Sequence, residues 1–273
     1  SSRIGDLAVV ALCGIYDEDT QSFEPEYVGV ERYLNLSDGE TREVDLKCDI
    51  PLDQTLDVKI QNPIFAPGGP DNNRAEVFWD FGFEGVFPSP TTGRGVGKLL
   101  TVEDQPALSG PLSGVTMSVV GGSYTGTTSP SSETQVHDVK GLSKPVVLPP
   151  LVDVPEPVSP KPGGTMSGRE IRFQAAGPHY PDMYSVYLLN QKGRIFWQHI
   201  MDGESTVVRL PEFPDLSYLP ADERPEPVSH GQAYFLILGI DARTATFDSF
   251  SYQDLNFSNW RGYSITRWGF KIP

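Results

Sequence analysis

Lysine and arginine are scarce in this sequence: 21 basic residues stand against 36 acidic ones, and the formal net charge is -15 at pH 7. Binding to a nucleic-acid backbone requires a face rich in lysine and arginine, and binding to an anionic lipid surface requires the same. The longest apolar run, residues 7–15, is also far shorter than the roughly 20 residues of a membrane-spanning helix. We therefore expect neither a nucleic-acid partner nor insertion into a membrane.

Cysteine is rarer still, with only Cys13 and Cys48 present. The two do not form a CxxC pair and no histidine adjoins them, so they make a poor metal site. Both lie in strand-like segments, where a disulfide across a sandwich core would fit and would indicate an oxidising compartment. Two buried free thiols are the alternative. We predict the disulfide.

The motifs of common catalytic sites are missing too. Residues 93–98 (GRGVGK) approach a phosphate-binding loop, but they lack its first glycine and the hydroxyl residue after its lysine. No Gly-x-Ser-x-Gly elbow occurs, and the four histidines stand at no metal-ligand spacing. A catalytic pair of carboxylates remains an alternative, since the two members of such a pair meet in space rather than in sequence. The sequence predicts a protein that is not an enzyme and carries no organic cofactor.

Helical periodicity is absent, whereas alternation with a period of two is frequent. Residues 43–50 (EVDLKCDI) place four apolar side chains on one face and four charged ones on the other, which is typical of a half-buried strand. Residues 51–54 predict a turn that returns the chain as an antiparallel neighbour. Further candidate strands are 7–16, 27–34, 56–60, 75–81, 115–120, 134–139, 170–175, 183–189, 194–200, 205–210, 232–240 and 263–272. With 27 glycines and 25 prolines at the turns, these patterns predict an all-β protein.

Residues 144–164 (KPVVLPPLVDVPEPVSPKPGG) divide the sequence by composition. Proline removes backbone donors and holds φ at about -65°, so this segment is predicted to be a stiff, polyproline-like linker. We therefore predict two antiparallel β-sandwich domains, residues 1–143 and 165–273, joined by a proline-rich linker at residues 144–164.

The C-terminal half resembles a fibronectin type III domain. The resemblance rests on Tyr184 and Tyr187 in one strand, Trp197 in the next, the strand end at residues 205–211 and the Gly-Gln-Ala-Tyr sequence at 231–234. It implies an immunoglobulin-like sandwich over the second half of the chain. The long segment 247–262 departs from the family, which usually has a short loop there.

The N-terminal half resembles the transthyretin-like or carboxypeptidase-regulatory sandwiches of bacterial surface proteins, through residues 38–41 (DGET) and the alternating strands that follow. As a whole, the chain resembles a fragment of a myxobacterial-type cell-surface lipoprotein. These resemblances imply a secreted protein or one associated with the outer membrane and the cell surface.

Two segments are candidate binding sites. The first is the acidic cluster Asp17, Glu18 and Asp19, because calcium takes several oxygen ligands from such loops. It lacks the spaced aspartates of a dedicated calcium loop, and a solvated loop is the alternative.

The second candidate is the aromatic segment 247–262, where flat rings flanked by amides and carboxylates are typical of carbohydrate sites. The residues concerned are Tyr252, Phe257, Trp260, Tyr263, Asp254 and Asn259. A loop that buries its own rings against the sandwich is the alternative. The leading hypothesis is a non-enzymatic extracellular or cell-envelope module that binds another protein or an envelope component. A carbohydrate-binding module with a cell-envelope glycan as its partner is the alternative.

Overall fold

The computed structural model describes residues 3–61, 72–124, 131–175, 177–212, 231–255 and 259–272. These residues form antiparallel strands and a few single 3₁₀ turns, with no α-helix among them, which confirms the predicted all-β class. The strands are β1 (Arg3–Asp17), β2 (Ser22–Ser37), β3 (Ile50–Pro51), β4 (Gln54–Gln61), β5 (Asn72–Asp80), β6 (Val86–Gly95), β7 (Leu99–Gln105), β8 (Thr116–Tyr124), β9 (Ser131–Val139), β10 (Val146–Pro150), β11 (Pro155–Ser159), β12 (Glu170–Ala175), β13 (Met183–Leu189), β14 (Ile195–Asp202), β15 (Val207–Arg209), β16 (Gly231–Ala242) and β17 (Trp260–Ile272).

The chain divides into two compact units. The first takes in the chain up to Gln61, Asn72–Gly122 and Gln135–Pro149, and the second takes in Ser123–Thr134 and the chain from Pro150 onward. The first residues of β9 belong to the second unit because Ser131 to Thr134 pair with residues 262–265 of β17. This pairing joins residues far apart in sequence, so no local pattern indicates it.

The core of the first unit lies between the sheet β10-β4-β7 and the strands β5, β6, β8 and β9. Leu56, Val58 and Ile60 alternate along β4 and are fully buried, as their period-two spacing predicts. Gly121 of β8 lies at a close approach of the two layers, because an added Cβ there would lie 2.4 Å from Cδ1 of Leu148 in β10.

The second unit packs the sheet β11-β12-β15 against β14, β13, β16 and β17. The rings of Phe235 and Phe270 stack with their centroids 4.1 Å apart, and Phe173 of the opposite sheet meets Tyr184 edge-on at 4.9 Å. Aromatic pairs of this kind contribute large buried areas to a sandwich core.

Residues 43–50 differ from the predicted strand in their pairing. Val44, Leu46, Cys48 and Ile50 are half-buried and the intervening residues are exposed, as the alternation predicts. Only Ile50 and Pro51 pair with β2, however, and the segment before them forms no ladder. The antiparallel return predicted at residues 51–54 is also wrong, because β4 pairs with β7 and β10 instead.

Residues 144–164 form two strands, β10 and β11, where the proline content predicts a spacer. Leu148, Leu151, Val152 and Val154 are buried, so this segment contributes to the cores of the units. Proline is compatible with strands at sheet edges, and β10 and β11 each lie at the edge of a three-stranded sheet.

Candidate functional site

Beyond a disulfide, β1 and β2 extend as a two-stranded ribbon that we call the arm, residues 14–25. The predicted disulfide between Cys13 and Cys48 is present, with the two Cα atoms 6.2 Å apart. β3 pairs only with Tyr27 and Val28 of β2, so in the described part of the chain the strands of the arm pair only with each other. Residues 14–24 are all exposed, so no second layer of the described residues covers either face of the arm.

The arm exposes large apolar side chains. Ile15 is 58% exposed, Tyr16 is 59% exposed and Phe23 is 46% exposed. Tyr16 and Phe23 lie directly opposite each other in the ladder, so their rings share one face of the ribbon, while Ile15 lies opposite Glu24. Both faces thus carry apolar area that the fold does not bury.

Negative charge accumulates on and beside the arm. Residues 14–25 contain Asp17, Glu18, Asp19 and Glu24 and no lysine or arginine. The pKa of Asp104, at the end of β7, is raised first by burial and then by the charges of Glu103 and Glu24. The arm is therefore an apolar surface flanked by negatively charged side chains.

The predicted calcium ligands lie at the tip of the arm, where one of them builds the turn. Oδ1 of Asp17 accepts the backbone N–H of Asp19 at 2.9 Å and that of Thr20 at 3.3 Å. Hydrogen bonds from the Thr20 side chain and from these amides lower the pKa of Asp17. Across the described residues, no group of three or more histidine, cysteine, aspartate or glutamate side chains is arranged to hold a metal ion. The cluster of Asp17, Glu18 and Asp19 thus has the geometry of a capped turn.

A buried ion pair fixes β2 below the arm. Glu84 is buried and accepts hydrogen bonds from Nε of Arg32 at 2.8 Å and from the backbone N–H of Tyr33 at 2.6 Å. Arg32 also donates to the carbonyl oxygen of Ser113 at 3.0 Å, and its guanidinium lies 5.5 Å from the ring centroid of Phe81. Tyr33 has a φ of +60°, in the left-handed region that non-glycine residues rarely adopt. The hydrogen bond to Glu84 therefore holds β2 where its backbone conformation is unfavourable.

In the second unit, the structure assembles buried polar groups that no sequence motif indicates. Oδ2 of Asp153 and the hydroxyl of Tyr184 are both buried without a hydrogen-bond partner among the described residues. Burial raises the pKa of Asp153, and the backbone N–H groups of His179 and Gly177 partly offset this effect. A Cβ on Gly177 would lie 2.4 Å from Oδ1 of Asp153, so the carboxylate fits only against glycine. The sequence feature that could have indicated this buried carboxylate is the position of Asp153 inside the apolar run Leu151 to Val154.

A second group of charges lies in the same unit. Nε of Arg261 donates to Oδ1 of Asp241 at 2.9 Å, and Nε2 of His179 lies 3.4 Å from the other carboxylate oxygen. Burial, followed by the charge of Asp241, raises the pKa of Asp182. The structure thus contains carboxylates with raised pKa values. A cavity of about 480 Å³ in this unit lies elsewhere, with a mostly apolar lining that includes Leu188, Leu210 and Ile272.

The aromatic segment 247–262 is only partly exposed. Trp260 is 8% exposed and packs with Met183 and Ile240, so its ring belongs to the core. Tyr263 is half-buried with its centroid 5.9 Å from that of Trp260, whereas Tyr252 is 77% exposed. The other three predicted residues, Asn259, Asp254 and Phe257, contribute no described ring or carboxylate to this surface. The backbone carbonyl oxygen of Asn259 accepts the backbone N–H of Arg243 at 2.9 Å. The side chain of Asp254 is not described, and Phe257 lies outside the described residues.

Comparison of the sequence with protein-family models finds no family that matches, and comparison with curated proteins finds no similar sequence. Among the described residues, no helix has the length and apolar character needed to cross a membrane.

Proposed function

We propose that the protein is a non-enzymatic interaction module that binds another protein through the arm. The observation that carries this proposal is the exposure of Ile15, Tyr16 and Phe23 on a ribbon that no second layer of the described residues covers. Exposed apolar patches framed by polar residues mark protein interaction sites. Aromatic side chains are also the residues that most often dominate binding energy when a partner buries them.

The charge of the arm defines the chemistry of this partner. Carboxylates surround the apolar side chains, and no basic residue lies between residues 14 and 25. A surface with an apolar centre and a lysine- or arginine-rich rim is complementary to it. Such complementarity mainly raises the association rate and makes it sensitive to salt.

The location that fits this function is extracellular or at the cell surface. A disulfide at the base of the arm persists in an oxidising compartment and is rare in the cytosol. The second unit, with three strands packed against β14, β13, β16 and β17, supports the resemblance to fibronectin type III domains, which serve as rigid scaffolds for binding loops.

The test is a photo-crosslinking experiment on the cell-envelope and secreted fractions of the producing organism. A crosslinking amino acid is placed at Phe23 in the chain, with the same substitution at Tyr252 as the matched exposed control. We expect a protein adduct from the arm position that is absent from the control position and that weakens as salt is added. The adduct partner, once purified, should bind the wild-type chain and lose at least about tenfold in affinity for the Tyr16→Ser/Phe23→Ser variant. Equal adducts at both positions, or unchanged affinity of the variant, would refute the proposal.

Carbohydrate binding by residues 247–262 has less support, since Trp260 is buried and Tyr252 is its only strongly exposed ring among the described residues. A glycan array on the wild-type chain and on Tyr252→Ala tests it. Glycan binding that disappears in this variant would establish the alternative function.

A further inference from the structure

Two Asp-Gly steps occur in the sequence, and the same residue follows each of them. Residues 38–40 and residues 202–204 both read Asp-Gly-Glu. An aspartate before glycine can close its side chain onto the next backbone nitrogen, because glycine has no Cβ to hinder the approach. The chain therefore places one local sequence in two structural settings, and the setting decides whether this ring closure proceeds.

The first step lies in an open turn that follows β2. Asp38 and Gly39 are both exposed, and Gly39 has a positive φ of 78°. The backbone N–H of Glu40 donates to the carbonyl oxygen of Ser37 at 3.0 Å, and that of Ser37 donates to Oε2 of Glu40 at 2.9 Å. An added Cβ on Gly39 would meet no atom within 4 Å, so the backbone has room to rotate. Among the described residues, no hydrogen bond restrains the Gly39 N–H or the Asp38 carboxylate.

The second step, at the end of β14, is held in place. The backbone N–H of Gly203 donates to the carbonyl oxygen of Asp182 at 3.2 Å, and Oδ1 of Asp202 accepts the backbone N–H of Glu204 at 2.6 Å. Gly203 is buried, and an added Cβ there would overlap the carbonyl oxygen of Pro181. The Gly203 nitrogen and the Asp202 carboxylate therefore approach each other only if this backbone opens locally.

We propose that Asp38 is a site of spontaneous covalent modification, at which the folded protein isomerises aspartate to isoaspartate. The backbone nitrogen of Gly39 forms a bond to Cγ of Asp38, and the hydroxyl of the carboxyl group leaves with the amide proton as water. Water then opens the cyclic imide. Attack at Cγ restores aspartate, whereas attack at the backbone carbonyl carbon of Asp38 leaves the chain linked through Cγ with a free α-carboxylate. The water released in the first step is taken up in the second, so the reaction needs no other reactant.

Isoaspartate changes the end of β2 as well as the residue itself. One additional methylene enters the backbone between Ser37 and Glu40, whose two hydrogen bonds close the turn at its present length. The α-carboxylate that is released is the group that protein isoaspartate methyltransferases esterify. The modified site is therefore detectable by transfer of a labelled methyl group from S-adenosylmethionine.

Mass spectrometry of the aged full chain tests the proposal. The folded chain is incubated at neutral pH and then digested with trypsin, which releases residues 33–42 and residues 195–209 as peptides with a single aspartate each. We expect isoaspartate to accumulate in peptide 33–42 at least about tenfold faster than in peptide 195–209, because Gly203 must first open locally. Incubation in urea should remove this difference, since both peptides contain Asp-Gly-Glu. A folded chain without isoaspartate at residue 38, or with equal rates at the two steps, would overturn the proposal.

Substitution of the glycine gives a second readout. Gly39→Ala keeps Asp38 and places a Cβ beside the attacking nitrogen, so peptide 33–42 should lose most of its isoaspartate. The matched control is Gly141→Ala, where an added Cβ also meets no atom within 4 Å, and it should leave the rate unchanged. Unchanged isoaspartate in Gly39→Ala would contradict the imide route. Neither substitution lies in the arm, so the outcome is independent of the proposed partner.

Discussion

The arm and the segment 247–262 both contain several aromatic residues in sequence, and the structure exposes those of one and buries the largest of the other. Tyr16 and Phe23 lie on a ribbon that no other layer of the described residues covers, and both rings are exposed. Trp260 begins β17, whose alternate residues point into the core, and its ring packs beside Met183. The number of layers around a strand, rather than its aromatic content, decides whether a ring stabilises the fold or stays available to a partner.

The largest expected effect comes from removing the buried ring. Trp260→Ala should lower the free energy of unfolding by about 3–5 kcal/mol, because it leaves a cavity between Met183 and Ile240. Tyr252→Ala, in the same segment but exposed, should change it by less than about 0.5 kcal/mol. Urea unfolding followed by circular dichroism measures both. A loss in Trp260→Ala as small as that in Tyr252→Ala would contradict the burial of the Trp260 ring.

The disulfide is expected to have the next largest effect. The Cys13→Ser/Cys48→Ser variant should lose about 3–4 kcal/mol, because the bond closes a loop with a sequence separation of 35 residues in the unfolded chain. Fluorescence of the buried Trp79 reports the unfolding of the first unit. A reducing agent should destabilise the wild type and leave the variant unchanged. Loss of stability in the variant on reduction would mean that the agent acts elsewhere.

Period-two patterns predicted those strands whose two faces differ. Leu56, Val58 and Ile60 are buried along β4 as the alternation requires, and Ala233, Phe235 and Ile237 are buried in the same way along β16. The strands β6, β10 and β11 were not predicted, because prolines and glycines there interrupt the alternation while edge positions and close approaches accommodate them. β7 was not predicted either, although it contains neither proline nor glycine. Burial, which is local, was easier to predict than pairing, which is not.

The candidate sites show the same limit. Sequence reasoning placed residues 7–16 in an ordinary strand, because a half-buried strand and an uncovered ribbon have the same alternation. Asp153, Asp182 and Asp241 are drawn from three separate segments, and only the fold brings carboxylates such as these near His179. The glycine of the Gln-Lys-Gly sequence at residues 191–193 indicates a turn, and Gly193 has a positive φ of 77°, which favours glycine.

The ion pair below the arm gives a smaller expected effect. Glu84→Gln should destabilise the first unit by about 2–3 kcal/mol, because Arg32 keeps its buried position and loses a charged acceptor. The exposed Glu43→Gln serves as the matched control and should be neutral. Hydrogen exchange would show where the effect lies. We expect faster exchange of the Tyr33 amide, which donates to Glu84, and unchanged exchange in the second unit.

The smallest expected effect on stability is at the arm itself. Tyr16→Ser/Phe23→Ser should change the free energy of unfolding by less than about 1 kcal/mol, because these rings contact solvent and each other rather than a core. The same double variant should lose partner binding, so stability and binding are expected to separate at the arm. Urea unfolding of the variant beside Trp260→Ala measures the contrast. A loss of several kcal/mol would mean that the two rings are covered in the folded protein, and the arm would then be part of the core rather than a binding surface.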